Sequence, residues 1–219
     1  MIELVVAMAV TSVLILVVGV LLVMGQQTWH KAYDSAHRQI KQDAQVTPLT
    51  FGSVGRKANR LNYTIYNVDG KTFTPAAPQG TEPEEVVSGD AVEFRYWDVE
   101  LDATDSHGLL DATKLATAYA LFYIDGDQLK VDYGPYPPGG VPAGGGTRNT
   151  SKITTTILAE NVTNVTNVTA NSNTGAFSHT TLNGVGQGCV RINITLTDPE
   201  NGDSIDVTTA VLMRNIWPR

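Results

Sequence analysis

The chain opens with a long apolar run that predicts a helix of membrane length. Residues 4–25 contain no charged side chain, and Thr11 and Ser12 are the clearly polar positions among them. About twenty helical residues rise roughly 30 Å, the thickness of the hydrocarbon core of a bilayer. A cleaved signal peptide would instead need a basic N-terminal region. Glu3 stands where a basic residue is expected, which favours a membrane anchor or a helix packed among copies of itself.

The following segment extends this helix with an amphipathic pattern. Residues 26–46 contain neither proline nor glycine, so we expect one unbroken helix from about residue 2 to about residue 46. Thr47 and Pro48 form a helix-start signal, which predicts a short second helix or a kinked continuation after that point. An apolar stripe at helical spacing is formed by Trp29, Tyr33, Ala36, Ile40 and Ala44.

The remainder of the chain alternates short β-type segments with turn residues. Asp125-Gly126-Asp127 between "AYALFYI" and "QLKVDY" is the strongest hairpin signal, and "DPENGD" between "CVRINITLT" and "SIDVTTAVLM" is a second. The pattern predicts an α+β fold, a long N-terminal helix followed by an antiparallel β-rich head. We place the boundary between the helix, residues 1–47, and the head, residues 48–219.

Two stretches of low complexity interrupt the β-type segments. "DGKTFTPAAPQGTEPEE" is polar, and "GPYPPGGVPAGGG" is dense in glycine and proline. The second composition cannot form a regular element. We expect both to be exposed connectors, the alternative being arms that pack on a neighbouring head.

Composition excludes several classes of function. The net charge of -7 is unfavourable for nucleic-acid binding, which needs basic patches. Cys189 is the single cysteine, so the chain forms no internal disulfide and has no paired-cysteine metal motif. Neither a zinc-protease helix motif, a serine-hydrolase elbow nor a phosphate-binding glycine loop occurs in the sequence. We therefore expect no enzymatic activity and no resident cofactor.

Two kinds of modification or ligand remain open. Carboxylates in the second hairpin turn offer oxygen ligands to calcium, although their order is not that of an EF-hand; they are Asp198, Glu200, Asp203 and Asp206. Asparagines in N-x-S/T sequons are possible glycosylation sites if they are exposed; they are Asn62, Asn149, Asn161, Asn164, Asn167 and Asn193. The alternative for the repeated "NVT" units is a strand whose asparagine and threonine side chains face water.

The segment "IELVVAMAVTSVLILVVGVLL" resembles the N-terminal helix of type IV pilins and pseudopilins. The likeness covers about residues 1–45. Mature chains of that family begin with a hydrophobic residue and carry a glutamate four residues after it. Glu3 lies two residues after Met1, and a basic leader with its glycine cleavage site is absent from the sequence. We therefore expect this chain to start two residues inside the mature protein.

The resemblance implies a role for Glu3 in assembly. In the family, this glutamate is thought to meet the free α-amino group of a neighbouring subunit and so to set the axial register. A carboxylate at membrane depth costs about 2.5–3.5 kcal/mol on insertion scales, and it gains from the dipole at a helix N-terminus. The alternative is an interfacial glutamate that caps its own helix. Trp29, Tyr33 and Ile40 are the further candidate assembly residues.

Three functions follow as hypotheses. The first is a structural subunit of an extracellular type IV pilus-like filament, held in the inner membrane before assembly. The second is a minor pseudopilin of a type II secretion-like machine, and the third is a membrane-anchored binding head. Expected partners are identical subunits, the membrane before assembly, and the pilus or secretion machinery.

Overall fold

The computed structural model combines an N-terminal apolar helix with an antiparallel β-rich domain, which confirms the predicted mixed class. It divides into two compact units, Met1–Gln39 and Ile40–Arg219. The structure describes residues 2–60, 62–81, 84–98, 116–136, 139–142, 144–164, 175–182 and 185–213.

Helix α1 spans Ile2–Lys57 and contains Pro48. Of the two alternatives expected at Thr47, a separate second helix is wrong, because the helix continues through this position as one element. A proline inside a helix removes one backbone hydrogen bond and costs about 3 kcal/mol. Packing offsets this cost, since Phe51 and Val54 on the next turns are buried in the core. Burial of Ile40 in the same core explains why the division between units falls at residue 39 rather than at the proposed residue 47.

The described strands form two antiparallel sheets. The first has the order β8-β2-β1-β5-β6-β7-β9. Its strands are β1 (Tyr63–Asp69), β2 (Thr72–Pro75), β5 (Ala91–Tyr96), β6 (Ala118–Asp125), β7 (Gln128–Pro135), β8 (Gly146–Thr147) and β9 (Thr154–Ala159).

The second sheet follows the path β10-β13-β11-β4-β3, with β14 paired to β13 and β12 paired to β11. Its strands are β3 (Pro78–Thr81), β4 (Glu84–Gly89), β10 (Val162–Asn164), β11 (Phe177–Leu182), β12 (Val185–Gly186), β13 (Cys189–Thr197) and β14 (Ser204–Leu212).

Both predicted hairpins are present. Strands β6 and β7 pair up to Asp125 opposite Gln128, and Gly126 in the turn has a φ of 64°. Strands β13 and β14 pair along their whole length, and Gly202 in their turn has a φ of 78°. Glycine adopts this left-handed region without steric cost. The turn residues were therefore sufficient to predict both hairpins.

The main core lies between the last turns of α1 and both sheets. Phe51 is fully buried, and its ring centroid lies 5.5 Å from that of Phe94 and 5.4 Å from that of Phe122. On the other side it lies 6.0 Å from Phe177 of the second sheet. Gly55 lets Val211 of β14 approach the helix, because a Cβ at Gly55 would lie 2.5 Å from Val211 Cγ1. The end of α1 therefore joins the two sheets.

A second core covers the opposite face of the first sheet. Its buried side chains include Tyr66, Phe73, Tyr119 and Leu121. The glycine- and proline-rich stretch contributes Val141, which is 2% exposed. We call the described residues between 136 and 148 the strap, namely 136, 139–142 and 144–148. The expectation of an exposed connector is wrong here, because the strap packs on its own sheet.

Candidate functional site

The apolar half of α1 is the principal surface without a protein partner in the described part of the chain. Residues Thr11–Thr28 have a mean hydropathy of 1.8, and none of this segment is buried. By length and composition alone, it can cross a membrane. Large apolar side chains are exposed around the helix, including Met8, Val13, Leu14, Ile15, Leu16, Leu21 and Leu22. Such an extended apolar surface marks a site of contact with lipid or protein.

Hydroxyl groups in this helix are satisfied by the helix itself. Ser12 Oγ donates a hydrogen bond to the Met8 carbonyl at 2.8 Å, and Thr28 Oγ1 donates one to the Met24 carbonyl at 2.9 Å. Polar groups without partners are costly in hydrocarbon. These two side chains therefore enter an apolar environment with their donors already bonded.

The proposed assembly residues lie along one helix, and the side chains of Glu3, Trp29 and Tyr33 fall outside the described part of the structure. Glu3, Trp29 and Tyr33 belong to the unit Met1–Gln39, and Ile40 belongs to the β-rich unit. Ile40 is 5% exposed and packs in the main core. Its role is therefore to hold the helix in the head, and it is not available to a neighbouring subunit.

The sequons differ in exposure. Asn149 is exposed, whereas Asn62 and Asn161 are half-buried. Asn193 is 5% exposed, and its Oδ1 accepts a hydrogen bond from Thr208 Oγ1 at 2.6 Å. Because an acceptor asparagine must be exposed, the fold removes Asn193 from the candidate sites. Asn164 lies in β10, and Asn167 lies outside the described residues.

The candidate calcium turn is held by hydrogen bonds within the β13–β14 hairpin. Asp198 is 2% exposed, and its Oδ1 accepts a bond from the Glu200 amide at 2.8 Å. Asp206 accepts a bond from Thr195 Oγ1 at 2.7 Å. Asp203 accepts a bond from the Asn201 side-chain amide. Among the described residues, no group of three or more metal-binding side chains converges, and calcium binding stays a prediction.

A buried ion pair on β5 anchors the strap. Glu93 is fully buried, with its Oε1 2.6 Å from Arg95 Nε and its Oε2 accepting the Val141 amide at 2.6 Å. Burial raises the pKa of the Glu93 carboxyl against the opposing effect of Arg95. Burial acts to lower the pKa of Arg95, but the Glu93 carboxylate raises it overall. Arg95 also lies over the Tyr136 ring, 4.4 Å from its centroid.

A second buried pair holds the far end of the strap. Arg148 Nη1 pairs with Asp132 Oδ2, and Asp132 is fully buried on β7. The guanidinium carbon lies 5.4 Å from the Phe73 ring centroid and 5.0 Å from that of Tyr123. Cation–π contacts of this kind stabilise a desolvated arginine. Each buried carboxylate therefore has an arginine partner. The strap is held to the sheet by the Val141 amide at Glu93 and by Arg148 at Asp132.

Sequence analysis did not identify these two ion pairs. The available signal was an acidic residue inside each of the apolar strands "AVEFRY" and "QLKVDY". A buried charge is retained only with a partner. Nothing in the sequence showed that the partner of Asp132 would be Arg148, at the end of a glycine-rich stretch.

His179 on β11 is a further partly buried titratable group. Its ring centroid lies 5.1 Å from that of Tyr63 in an edge-to-face arrangement. Burial lowers the pKa of His179 to about 4. Burial also raises the pKa of Tyr63. The pair therefore stays uncharged at neutral pH and acts as packing.

Comparisons of the chain with protein-family models, with curated proteins and with solved structures give no match. Function is therefore inferred from the residues of the chain.

Proposed function

We propose that the chain is a structural subunit of an extracellular type IV pilus-like filament, which polymerises through its N-terminal helix. The observation that carries the proposal is the apolar segment Thr11–Thr28, which is exposed on all sides. A helix that is apolar all round is buried in use, either in lipid or among other helices. The likeness of residues 1–45 to pilin helices favours identical helices as the final surroundings.

The energetics of the helix fit this two-stage use. In the membrane, apolar side chains already have apolar surroundings, so transfer into a helix bundle gains little from hydrophobicity. Once outside the membrane, each buried large side chain contributes about 1.5–3 kcal/mol relative to water. A filament built on this segment is therefore stable in water, and its assembly from the membrane needs a powered machine.

Glu3 supplies the test of how subunits are held in register in the filament. We expect Glu3→Ala to leave the chain in the membrane, because residues 4–25 are unchanged. We also expect it to lower filament assembly strongly, because the charge that sets the register between subunits is lost. The measurement is electron microscopy and immunoblotting of sheared cell-surface material, beside membrane fractions. Glu3→Asp is the matched control, which keeps the charge and should retain part of the assembly.

A membrane-anchored binding head is the second candidate, favoured by the membrane-length segment itself. The same experiment separates the two functions. Wild-type chain that remains wholly in membrane fractions, with none in sheared filaments, would select the anchored head. Filaments at normal abundance in the Glu3→Ala strain would remove the register role while keeping the filament.

A further inference from the structure

The loop between β8 and β9 carries the sequon Asn149-Thr150-Ser151. All three residues are exposed, and none of them belongs to a strand. The residue before them, Arg148, is fixed by its ion pair with the buried Asp132, and the paired strand β9 follows them. The sequon is therefore a short exposed segment that is held at both ends by the first sheet.

The other sequons that the structure describes are tied into the sheets. Asn193 and Asn164 lie within strands β13 and β10. The carbonyl groups of Asn161 and Asn62 accept backbone amides of β13 and β5, at 2.9 Å and 3.2 Å. Among the sequons whose three residues are all described, Asn149 alone begins one that is exposed throughout. A transferase that must reach an asparagine and the hydroxyl two residues later therefore finds them most accessible at Asn149.

The conformation of this loop presents the side-chain nitrogen of Asn149. Asn149 Oδ1 accepts the Ser151 backbone amide at 3.0 Å, which forms an Asx-turn. The oxygen and nitrogen of a side-chain amide diverge from the same carbon, so the nitrogen is directed away from this bond. The turn also brings the backbone of Ser151, whose hydroxyl the sequon requires, next to the Asn149 side chain. The atom that accepts a sugar is therefore the one that the turn leaves outermost.

We propose that Asn149 is a glycosylation site and carries an oligosaccharide on the head. In this reaction, the Asn149 amide nitrogen forms a bond to the anomeric carbon of a sugar that is held on a lipid-linked phosphate donor. The bond from that carbon to the phosphate oxygen breaks, the lipid phosphate leaves with the electron pair, and the nitrogen loses one proton. The proposal rests on export of the head, which the proposed filament and the anchored head both include.

Mass spectrometry of the full chain, purified from the cells in which it naturally occurs, tests the site. We expect a mass above that of the sequence, and the loss of one glycan mass in Asn149→Gln. Ser151→Ala should lose the same mass, because an enzyme site built to bond a hydroxyl rejects a substrate that lacks it. Thr150→Ala is the matched control, because it changes an exposed threonine of the same loop and leaves Asn149 and Ser151 in place; it should keep the full mass.

The same variants separate this attachment from a sugar on a hydroxyl group. An O-linked sugar in the loop would persist in Asn149→Gln, and that result would overturn the proposal, as would a wild-type chain of unmodified mass. Filaments are scored separately by electron microscopy, and export of the head by protease treatment of intact cells. Unmodified chain in surface filaments would remove the glycan and leave the filament proposal intact. A head that is protected from protease in intact cells would overturn both.

Discussion

At two glycines of α1, the effect of a side chain on stability depends on whether a neighbouring residue occupies the space beside the glycine. Gly55 is the clearest case, because Val211 occupies the position that a side chain at residue 55 would take. Gly52 lies one turn earlier on the same helix, and no atom of another described element lies within 4 Å of the position that a Cβ would take there. The two glycines have the same helical context and opposite packing.

We expect Gly55→Ala and Gly52→Ala to change stability in opposite directions. Alanine at residue 55 forces Val211 out of place, and overpacking costs about 1–3 kcal/mol. Alanine at residue 52 meets open space and gains up to about 1 kcal/mol of helix propensity. Thermal unfolding of the full chain measures both. An increase in melting temperature for Gly55→Ala would show that the β14 contact yields easily.

Protonation of His179 links stability to pH. The pKa of His179 is lowered to about 4 in the folded chain, below the ordinary value of 6.5. Between pH 6.5 and about 4, His179 is protonated in the unfolded chain and neutral in the folded chain. Lowering the pH through this range therefore reduces the free energy of unfolding. Below that window it adds no further loss.

The matched variant is His179→Phe, which keeps a ring against Tyr63. We expect the melting temperature of the wild type to fall relative to this variant between pH 7 and pH 4. Burial raises the pKa of Asp43, Asp90 and Glu93, but these groups are present in both chains and cancel in the difference. Parallel curves for the two chains would contradict the role of His179.

At the scale of elements, the strap is where the structure differs most from what the sequence predicts. The hairpins at Gly126 and Gly202 could be predicted, because turn residues act locally and the strands on either side alternate. The strap could not, because its partner Glu93 is separated from Val141 by 48 positions. A composition rich in glycine and proline predicts that a segment forms no regular secondary structure. It does not predict which residues the segment packs against.

The strap also changes what is expected of Gly145. From the sequence alone, Gly145→Ser is expected to leave the core intact. Gly145 has a φ of 94°, and a Cβ would lie 2.5 Å from the Phe73 carbonyl oxygen. A substitution such as Gly145→Ser is therefore strained and crowded, and it cannot serve as a neutral control for the head.

Removal of one ion-pair partner tests the strap as an element. We expect Arg148→Met to destabilise the head by about 3–5 kcal/mol, because Asp132 would remain buried without its cation. Lys130→Met is the matched control on the same hairpin, since Lys130 pairs with the exposed Asp125; about 0–1 kcal/mol is expected there.

The double variant Asp132→Leu with Arg148→Met separates charge from packing. It should be less destabilised than Arg148→Met alone, because it leaves no buried charge unpaired. Urea unfolding of the four chains provides the comparison. Similar losses for Arg148→Met and Lys130→Met would mean that the buried pair does not fasten the strap.

For the whole molecule, the proposed function depends on the contrast between an apolar helix and a polar head. The sequence was sufficient to predict this contrast, because a charge-free run needs no tertiary information to recognise. The sequence was not sufficient to predict that Ile40 packs into the head, because an apolar stripe does not show which partner covers the stripe. The existence of two parts, helix and head, is therefore better predicted than the residue at which they divide.

We expect Val13→Asp to abolish stable membrane retention and, with it, filament assembly. Val13 is 63% exposed within the membrane-length segment, and an aspartate at the centre of such a helix costs about 2.5–3.5 kcal/mol on insertion scales. Val13→Leu is the control and should behave as wild type. Membrane fractionation and sheared-filament yield are the measurements; filaments at the wild-type level would exclude this segment as their core.

The two anchors of the strap also determine where the protein can carry a label. Surface loops usually tolerate inserted residues, and the strap's composition makes it an obvious choice for an epitope tag. However, Val141 is bonded to Glu93 and Arg148 to Asp132, so an insertion between them would detach one end. The turn at Gly126 lies between paired strands, and no described atom lies within 4 Å of the position that a Cβ at Gly126 would take. A tag intended to mark the head without disturbing it belongs at that turn.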